Sequence, residues 1–491
     1  MGSTARPDTV APTGNVWLDG LLWGTRWGAD GGPATIDAYI AGQGGEEAVS
    51  DGLGSSVTAY AAYPREAAAM AEAMASFEAV CGIHFRVVPS QAEANLVWSV
   101  VSNLDSSGAY GWSTPPGAGT VGGLARSLVA INYESYYPPS GKGFLLEGGF
   151  DFCTLIHELG HAVGLAHPHD HGGGSSVFPG VAAAFDDLGD FDMNQGVFTM
   201  MSYNDGWQTG PEGPTTARTH GYQAGPMALD IAALQQLYGP NMAARTGDDV
   251  YRLPEANRPG AFYACLWDAG GTDRIDGAAH RANQIDLRAA TLERGPGGGG
   301  FLSYADHVQG GFTIAHGVLI EDARGGAEDD LLHGNAAANG LEGFGGGDVL
   351  RGGRGTDLLR GGGGADRLSG GAGDDLIEGG AGADRLQGNG GADAFVFAAG
   401  DSAPGRPDVI DGFAPGEDAI DLSALDPNPG APGDQRLHLD DGGAFGPGGV
   451  RQQLAGDGLR IEVNLDRDDA PEMAILLHGL AQRLAASDFV L

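Results

Sequence analysis

Within "TLIHELGHAVGLAHPHD" (residues 154–170), His157 and His161 are four residues apart, Glu158 follows the first, and Gly164 and His167 come after. Two histidines four apart on a helix project their rings from one face. Gly164 can take a positive φ, ending the helix and bringing a third imidazole to the same point. Three neutral imidazoles form a zinc-binding set with an open coordination position. Glu158, beside the first ligand, has the place of a general base. The chemistry expected of such a set is metal-assisted hydrolysis, in which zinc lowers the pKa of water from ~15.7 towards ~7. Only 13 histidines occur in 491 residues, and five fall between His157 and His171. His169 and His171 stand outside the ligand spacing and are read as loop histidines.

The elements that must position this set can be read from periodicity. "DFCTLIHELGHAVG" predicts the helix that carries the first two histidines. "REAAAMAEAMASFEAVCG" (65–82) predicts another, with Met70, Met74 and Phe77 on one face and Gly82 at its end. "ATIDAYI", "IHFRVV", "ANLVWSVV" and "SLVAINYE" read as strands. The last is either a sheet edge that pairs with extended substrate or an ordinary internal strand. Residues 167–225 form a polar, glycine-rich loop too long for a mere connection. "PMALDIAALQQLYG" (226–239) is a helix stopped by Gly239, and strands and turns fill 250–322.

Composition narrows the function classes. With 64 acidic and 26 basic residues the formal charge is −38, which disfavours nucleic acid and anionic membranes as partners. No apolar run reaches the ~18 residues of a membrane span. The opening "MGSTARPDTVAPTGNVWLDG" lacks the basic and apolar regions of a cleaved signal peptide. Cys81, Cys153 and Cys265 have no metal-like spacing and are read as small buried residues. The 88 glycines exceed the usual ~7% share more than twofold, and they are unevenly spread.

Much of that excess lies in 325–396, where the chain falls into blocks of nine. "GGRGTDLLR", "GGGGADRLS", "GGAGDDLIE" and "GGAGADRLQ" begin at Gly352, Gly361, Gly370 and Gly379, with degenerate copies at Gly325, Gly334, Gly343 and Gly388. The sixth positions are Asp330, Asn339, Asp348, Asp357, Asp366, Asp375, Asp384 and Asp393; every eighth position is Leu, Ile or Phe. Six glycine-rich residues make a turn, and the last three make a short strand with its eighth side chain pointing into a narrow core. A flexible linker would not keep that register. Glu328, Ala337 and Asn339 depart from the pattern and make the first two turns doubtful calcium sites.

The blocks resemble the repeats-in-toxin nonapeptide, which implies a calcium-filled parallel β-roll. HExxHxxGxxH followed by "FTMMSYND" resembles the metzincin peptidases, with Met201 as the turn methionine beneath the metal. Pro168 and Tyr203 bring the resemblance to the serralysin family. That resemblance implies zinc held by His157, His161, His167 and, at rest, Tyr203, with Glu158 as base. Tyr203 would then swing away and donate a hydrogen bond to the reacting carbonyl oxygen. It further implies calcium at Arg245, Gly247, Asp249, Asp268, Gly270, Gly271 and Asp273, at Leu319 and Glu321, and at Asp348, Asp357, Asp366, Asp375, Asp384 and Asp393 of the roll. Asp249 stands where the family often has threonine. The ending "AASDFVL" resembles an export signal read by type I secretion machinery.

The expected fold class is an α+β metzincin catalytic domain followed by an all-β domain, a parallel β-roll plus a β-sandwich-like C-terminal part. Residues 1–30 are expected to include a short activation segment, 31–240 to form the catalytic domain, and 241–491 the C-terminal domain. The expected function is a secreted, extracellular, monomeric zinc endopeptidase acting on protein substrates and stabilised by Ca2+. The rival is a non-enzymatic, calcium-dependent surface or adhesion protein with a relic core, against which an intact Glu158 argues. A repeat-bearing lipase lacks its G-x-S-x-G elbow.

Overall fold

The structure, a computed structural model, describes residues 6–28, 32–101, 109–132, 145–427, 435–440 and 445–491. In the N-terminal half, Leu96–Val101 lies at the centre of a mixed sheet. It pairs in parallel with Leu124–Asn132 and with Ala34–Ile40, which in turn pairs with Ile83–Val87. All six residues of Leu96–Val101 are buried, as a strand covered on both faces must be. Leu124–Asn132 is internal, because Gly111–Ser113 and Gly119–Val121 pair along its other side. The edge reading of "SLVAINYE" is therefore corrected: the edge is Gly111–Ser113. The last two residues of that segment, 133–134, lie outside the described residues.

Two helices pack against each other beside the sheet, Pro64–Val80 and Phe150–Ala162. Phe77 on the first, and Phe152, Leu155, Ile156 and Leu159 on the second, are fully buried. Each such side chain contributes about 1.5–3 kcal/mol of transfer free energy. The first helix ends at Val80, capped by Cys81, one residue before the glycine that marks its stop.

Residues 6–28 are not a segment standing apart. Pro7–Thr9 pairs with Thr25–Trp27, and the short helix Val16–Leu21 buries Trp17 and Leu21 completely. The Trp17 indole donates to the Glu293 carbonyl and that of Trp27 to the Ala162 carbonyl. These contacts tie residues 6–28 to the core of the N-terminal half.

From Val250 onward the chain builds two facing sheets. The nine-stranded one runs from Val250–Arg252 to Phe489–Val490, and the thirteen-stranded one from Tyr263–Leu266 to His438–Leu439. Through the repeats, successive strands alternate between the sheets, so parallel partners are 18 residues apart. Leu341 faces Leu359, then Ile377, then Phe395; Leu332 faces Leu350, then Leu368, then Leu386. One coil is thus two nonapeptides, and the eighth-position side chains form two buried ladders inside the roll. Glycine is required where coils touch: a Cβ on Gly364 would fall 1.5 Å from the Gly346 carbonyl, and Gly364 has φ +149°. Beyond the repeats the sheets continue through Gly449–Ala455, Gly458–Val463 and Met473–His478, which pair antiparallel, so the C-terminal part extends the roll's own sheets.

Candidate functional site

The helix Phe150–Ala162 turns its buried apolar face to the core and presents His157 and His161 on the other. Gly164 has φ +107°, and a Cβ there would meet the Thr25 carbonyl at 2.3 Å. The chain therefore reverses against the N-terminal strap. Trp23 N–H donates to Gly164 O at 2.9 Å and Ala166 N–H to Leu21 O at 2.8 Å. These bonds deliver His167, so residues far upstream position the third imidazole. The sequence reading missed that role, because nothing local marks it.

The three rings converge. His167 Nε2 lies 3.2 Å from His157 Nε2 and 2.9 Å from His161 Nε2. Ligands at ~2.0–2.1 Å in a tetrahedral zinc site would be about 3.3 Å apart. His157 Nδ1 donates to the Met200 carbonyl (2.9 Å), His161 Nδ1 to the Leu165 carbonyl (3.0 Å), and His167 Nδ1 to Asp170 Oδ2 (2.8 Å). With each Nδ1 proton so engaged, three Nε2 lone pairs point at one another. They repel unless a cation lies between them. Burial also holds the His157 imidazole neutral, its pKa down to about 3, as ligation requires. The donor set fits zinc.

Glu158 is 7% exposed, and burial raises its carboxyl to about 8. The edge strand crosses directly over it: a Cβ on Gly111 would sit 2.6 Å from Glu158 Cγ. Met201 is fully buried beneath the helix, where a Cβ on Gly160 would meet its sulfur at 2.6 Å. Tyr203 stands at the mouth, 37% exposed, its ring 4.8 Å from that of His167 and 5.6 Å from that of His157. Burial, then the Glu158 charge, pushes its hydroxyl up to about 12. His169, read as a loop histidine, stacks on His167 at 4.7 Å and lies 4.5 Å from Tyr203. It belongs to the wall of the site.

A second residue that sequence reasoning missed is Asp230, fully buried at the start of the helix Ala228–Tyr238. It accepts from Thr199 Oγ1 (2.6 Å), Met200 N–H (2.7 Å) and Met227 N–H (2.9 Å), so it fixes the turn whose carbonyl orients His157. An acidic residue among the apolar residues of the helix's first turns was the available signal. Asp230→Ala leaves three buried donors unpartnered, at about 1–3 kcal/mol each before relaxation. The expected result is a loss of several kcal/mol in urea unfolding, together with weaker zinc retention on dialysis.

The roll holds a second kind of site. Each sixth-position carboxylate accepts through Oδ1 from a backbone N–H one coil earlier: Asp366 from Asp348 (2.7 Å), Asp375 from Asp357 (2.9 Å), Asp384 from Asp366 (2.9 Å) and Asp393 from Asp375 (3.0 Å). The Oδ2 atoms of Asp348, Asp357, Asp366, Asp375, Asp384 and Asp393 are buried without a hydrogen-bond partner. A Cβ on Gly352 would fall 2.2 Å from Asp357 Oδ2, so the first glycine of a block keeps that space open. Orphaned buried carboxylate oxygens are costly unless a cation accepts them, and all-oxygen surroundings suit calcium. Asp330 and Asn339 differ. Asp330 Oδ2 accepts from Gly326 N–H and Asn339 Oδ1 from Asn335 N–H, so neither leaves an oxygen free.

The ladder extends past both ends of the repeat. Asp408 Oδ1 accepts from Asp384 N–H at 2.9 Å, and its Oδ2 is again buried and unpartnered. The reading of nine-residue blocks missed it because the step from Asp384 is 24 residues rather than 18. Upstream, Glu321 Oε2 accepts from Asp273 N–H (2.8 Å) and Asp273 Oδ1 from Asp249 N–H (2.8 Å). Asp249, Asp268 and Asp273 bring carboxylate oxygens within 4.8 Å of one another, and Asp273 Oδ2 has no partner. Arg245 takes φ +47°, and Gly270 and Gly271 have φ +137° and +144°, with Gly271 pressed against the Gly247 carbonyl. Leu319 precedes Glu321 by two residues with its side chain exposed.

Burial raises these carboxyls, Asp348 and Asp408 to about 7 and Asp273, Asp357, Asp375 and Asp384 to about 6. A pKa higher folded than unfolded gives stability that is complete below the unfolded value and lost as pH rises through 6–7. The chelated protein should therefore melt at a higher temperature at pH 5 than at pH 8. In millimolar calcium the order should reverse, because protons then compete with the ion. Thermal unfolding followed by circular dichroism at both pH values checks this.

A histidine triad oriented by two carbonyls and a carboxylate, beside a roll of stacked glycine–aspartate coils, defines a metallopeptidase-like architecture. The sequence description "Peptidase M10 serralysin C terminal" matches residues 228–491. The chain is 34% identical over 369 residues to metalloprotease AprA of Pseudomonas entomophila (strain L48), covering 72% of this chain and 65% of that one. To metallopeptidase AprA of Pseudomonas marginalis it is 33% identical over 374 residues, 74% and 68% of the two chains. To serralysin of Proteus mirabilis it is 36% identical over 228 residues, 44% of this chain and 42% of that one. The chain belongs to the serralysin family. It spans less than two thirds of the length of the Proteus mirabilis and Pseudomonas entomophila relatives. The AlgE6R3 subunit of the Azotobacter vinelandii mannuronan C5-epimerase is 30% identical over 33% of this chain and 78% of its own, with a TM-score of 0.22, too low to bear on the fold. No described helix is long and apolar enough to cross a membrane.

Proposed function

We propose that the protein is a secreted zinc endopeptidase that hydrolyses peptide bonds of extracellular proteins and is stabilised by calcium in its roll. The observation that carries this reading is the convergence of His157 and His161 Nε2, each within 3.2 Å of His167 Nε2, beside a buried glutamate. His157, His161 and His167 would hold zinc, with Tyr203 as a fourth, resting ligand. Zinc supplies Lewis-acid charge that polarises the scissile carbonyl and makes water acidic.

The remaining work falls to the chain. An extended substrate pairs with the edge strand Gly111–Ser113, which lies over Glu158. Glu158 takes the proton of the attacking water and passes it to the leaving amine. Tyr203 donates a hydrogen bond to the oxyanion that develops on the substrate. The metzincin-like catalytic part runs to about residue 240 and the calcium-binding part from there on, and secretion delivers the carboxylate ladder to a calcium-rich medium. Casein digestion by the intact chain tests the reading. Proteolysis should disappear with a zinc chelator and return with added zinc; casein left intact by the zinc-loaded protein would favour the adhesion-protein alternative.

A further inference from the structure

A cavity of 520 Å³ opens beside the histidine cluster. Its lining includes Phe150, Cys153 and His157 of the helix together with the rings of Tyr110, Phe185 and Tyr203. Such aromatic walls would ordinarily suit an apolar side chain. Inside, however, lies a carboxylate, Asp205, two residues beyond Tyr203. Among the described residues its side chain has one hydrogen-bond partner, the Cys153 thiol at 3.6 Å, which turns to Gln223 Oε1 at 3.0 Å. No described cation pairs with Asp205. Arg218, whose guanidinium lies on the Phe150 ring at 4.3 Å, is paired with Asp151 at 2.8 Å.

Resting on the peptidase reading, we infer that this cavity is the pocket for a substrate side chain flanking the scissile bond, and that Asp205 selects arginine or lysine there. The physical reasons are complementary. An apolar side chain would seal the carboxylate from water with nothing to replace its hydration. A basic side chain lays its methylene stem along the aromatic walls and brings donors to the carboxylate. The rings of Tyr110, Phe150 and Phe185 add cation–π attraction along the way.

The test uses the zinc-loaded full chain and two otherwise identical peptides, with arginine or norleucine at the flanking position. Cleavage by the parent protein should favour arginine at least tenfold in kcat/KM, and a mixed peptide library read by mass spectrometry should show basic residues enriched at that one position. Asp205→Asn should lower the arginine-to-norleucine ratio about tenfold or more. Equal or reversed preference in the parent overturns the inference while leaving the peptidase reading intact. So does a ratio unmoved by Asp205→Asn, which would leave Asp205 as a support for Cys153 alone. Should Asp205→Asn fail to hold zinc, the parent ratio decides. Calorimetric binding of the same peptides to Glu158→Gln separates the two readings: selective binding of the arginine peptide by a protein whose parent cuts nothing would sustain the pocket and remove the peptidase.

Discussion

Glu158→Gln should keep zinc at one per chain and lower kcat/KM by about 10²–10⁴-fold, the usual contribution of a positioned general base. Glutamine has the shape of glutamate and fits beneath Gly111, whose missing Cβ leaves room for that side chain alone. The three imidazoles are held by Met200 O, Leu165 O and Asp170, none of which the substitution touches. What is lost is the carboxylate that accepts a proton. In the metal-free chain burial holds that carboxyl near 8, and a cation among the histidines would draw it back down. Metal analysis and peptide hydrolysis on the same preparation decide the matter; a variant with full zinc and near-parental rates would remove Glu158 from the mechanism. Tyr203→Phe belongs to the same experiment. Its loss should appear in kcat, and a change confined to KM would show a binding role instead.

Calcium removal should have the largest structural effect. Eight carboxylate oxygens, on Asp273, Asp348, Asp357, Asp366, Asp375, Asp384, Asp393 and Asp408, are buried without a hydrogen-bond donor. The strands between them are short, and each coil buries only two ladder side chains, so apolar area does not balance that many desolvated charges. An ion that binds only the folded roll stabilises it by about 2.7 kcal/mol per site at 100 times its Kd. With chelator at pH 8 the full chain should lose most of the β signal of residues 325–421 and regain it at millimolar calcium. Magnesium, smaller and reluctant to shed water, should not substitute. Far-ultraviolet circular dichroism with each ion measures this, and a spectrum unchanged by chelation would show that the ladder closes without metal.

The repeat was legible because its physics is local and periodic. A glycine where coils touch, an aspartate at the sixth position and an apolar residue at the eighth each recur every nine residues, so register, coil and ladder follow from spacing. Asp408 carries the same ladder outside that period, and only the stacked coils reveal it. The convergence of the three histidines was equally legible, because helical geometry alone brings His157 and His161 to one face and Gly164 turns the chain toward His167. What holds the set was not. The strap through Trp23 and Leu21, the buried Asp230 and the edge strand over Glu158 are distant in sequence from the histidines they serve. The aspartate in the cavity beside the histidines was hidden for the same reason: Phe150, Cys153 and Tyr110 line that cavity with it, and only tertiary packing brings them together. Sequence alone determined the chemistry that recurs at fixed spacing; contacts between remote segments decided how that chemistry is oriented and which side chain it would meet.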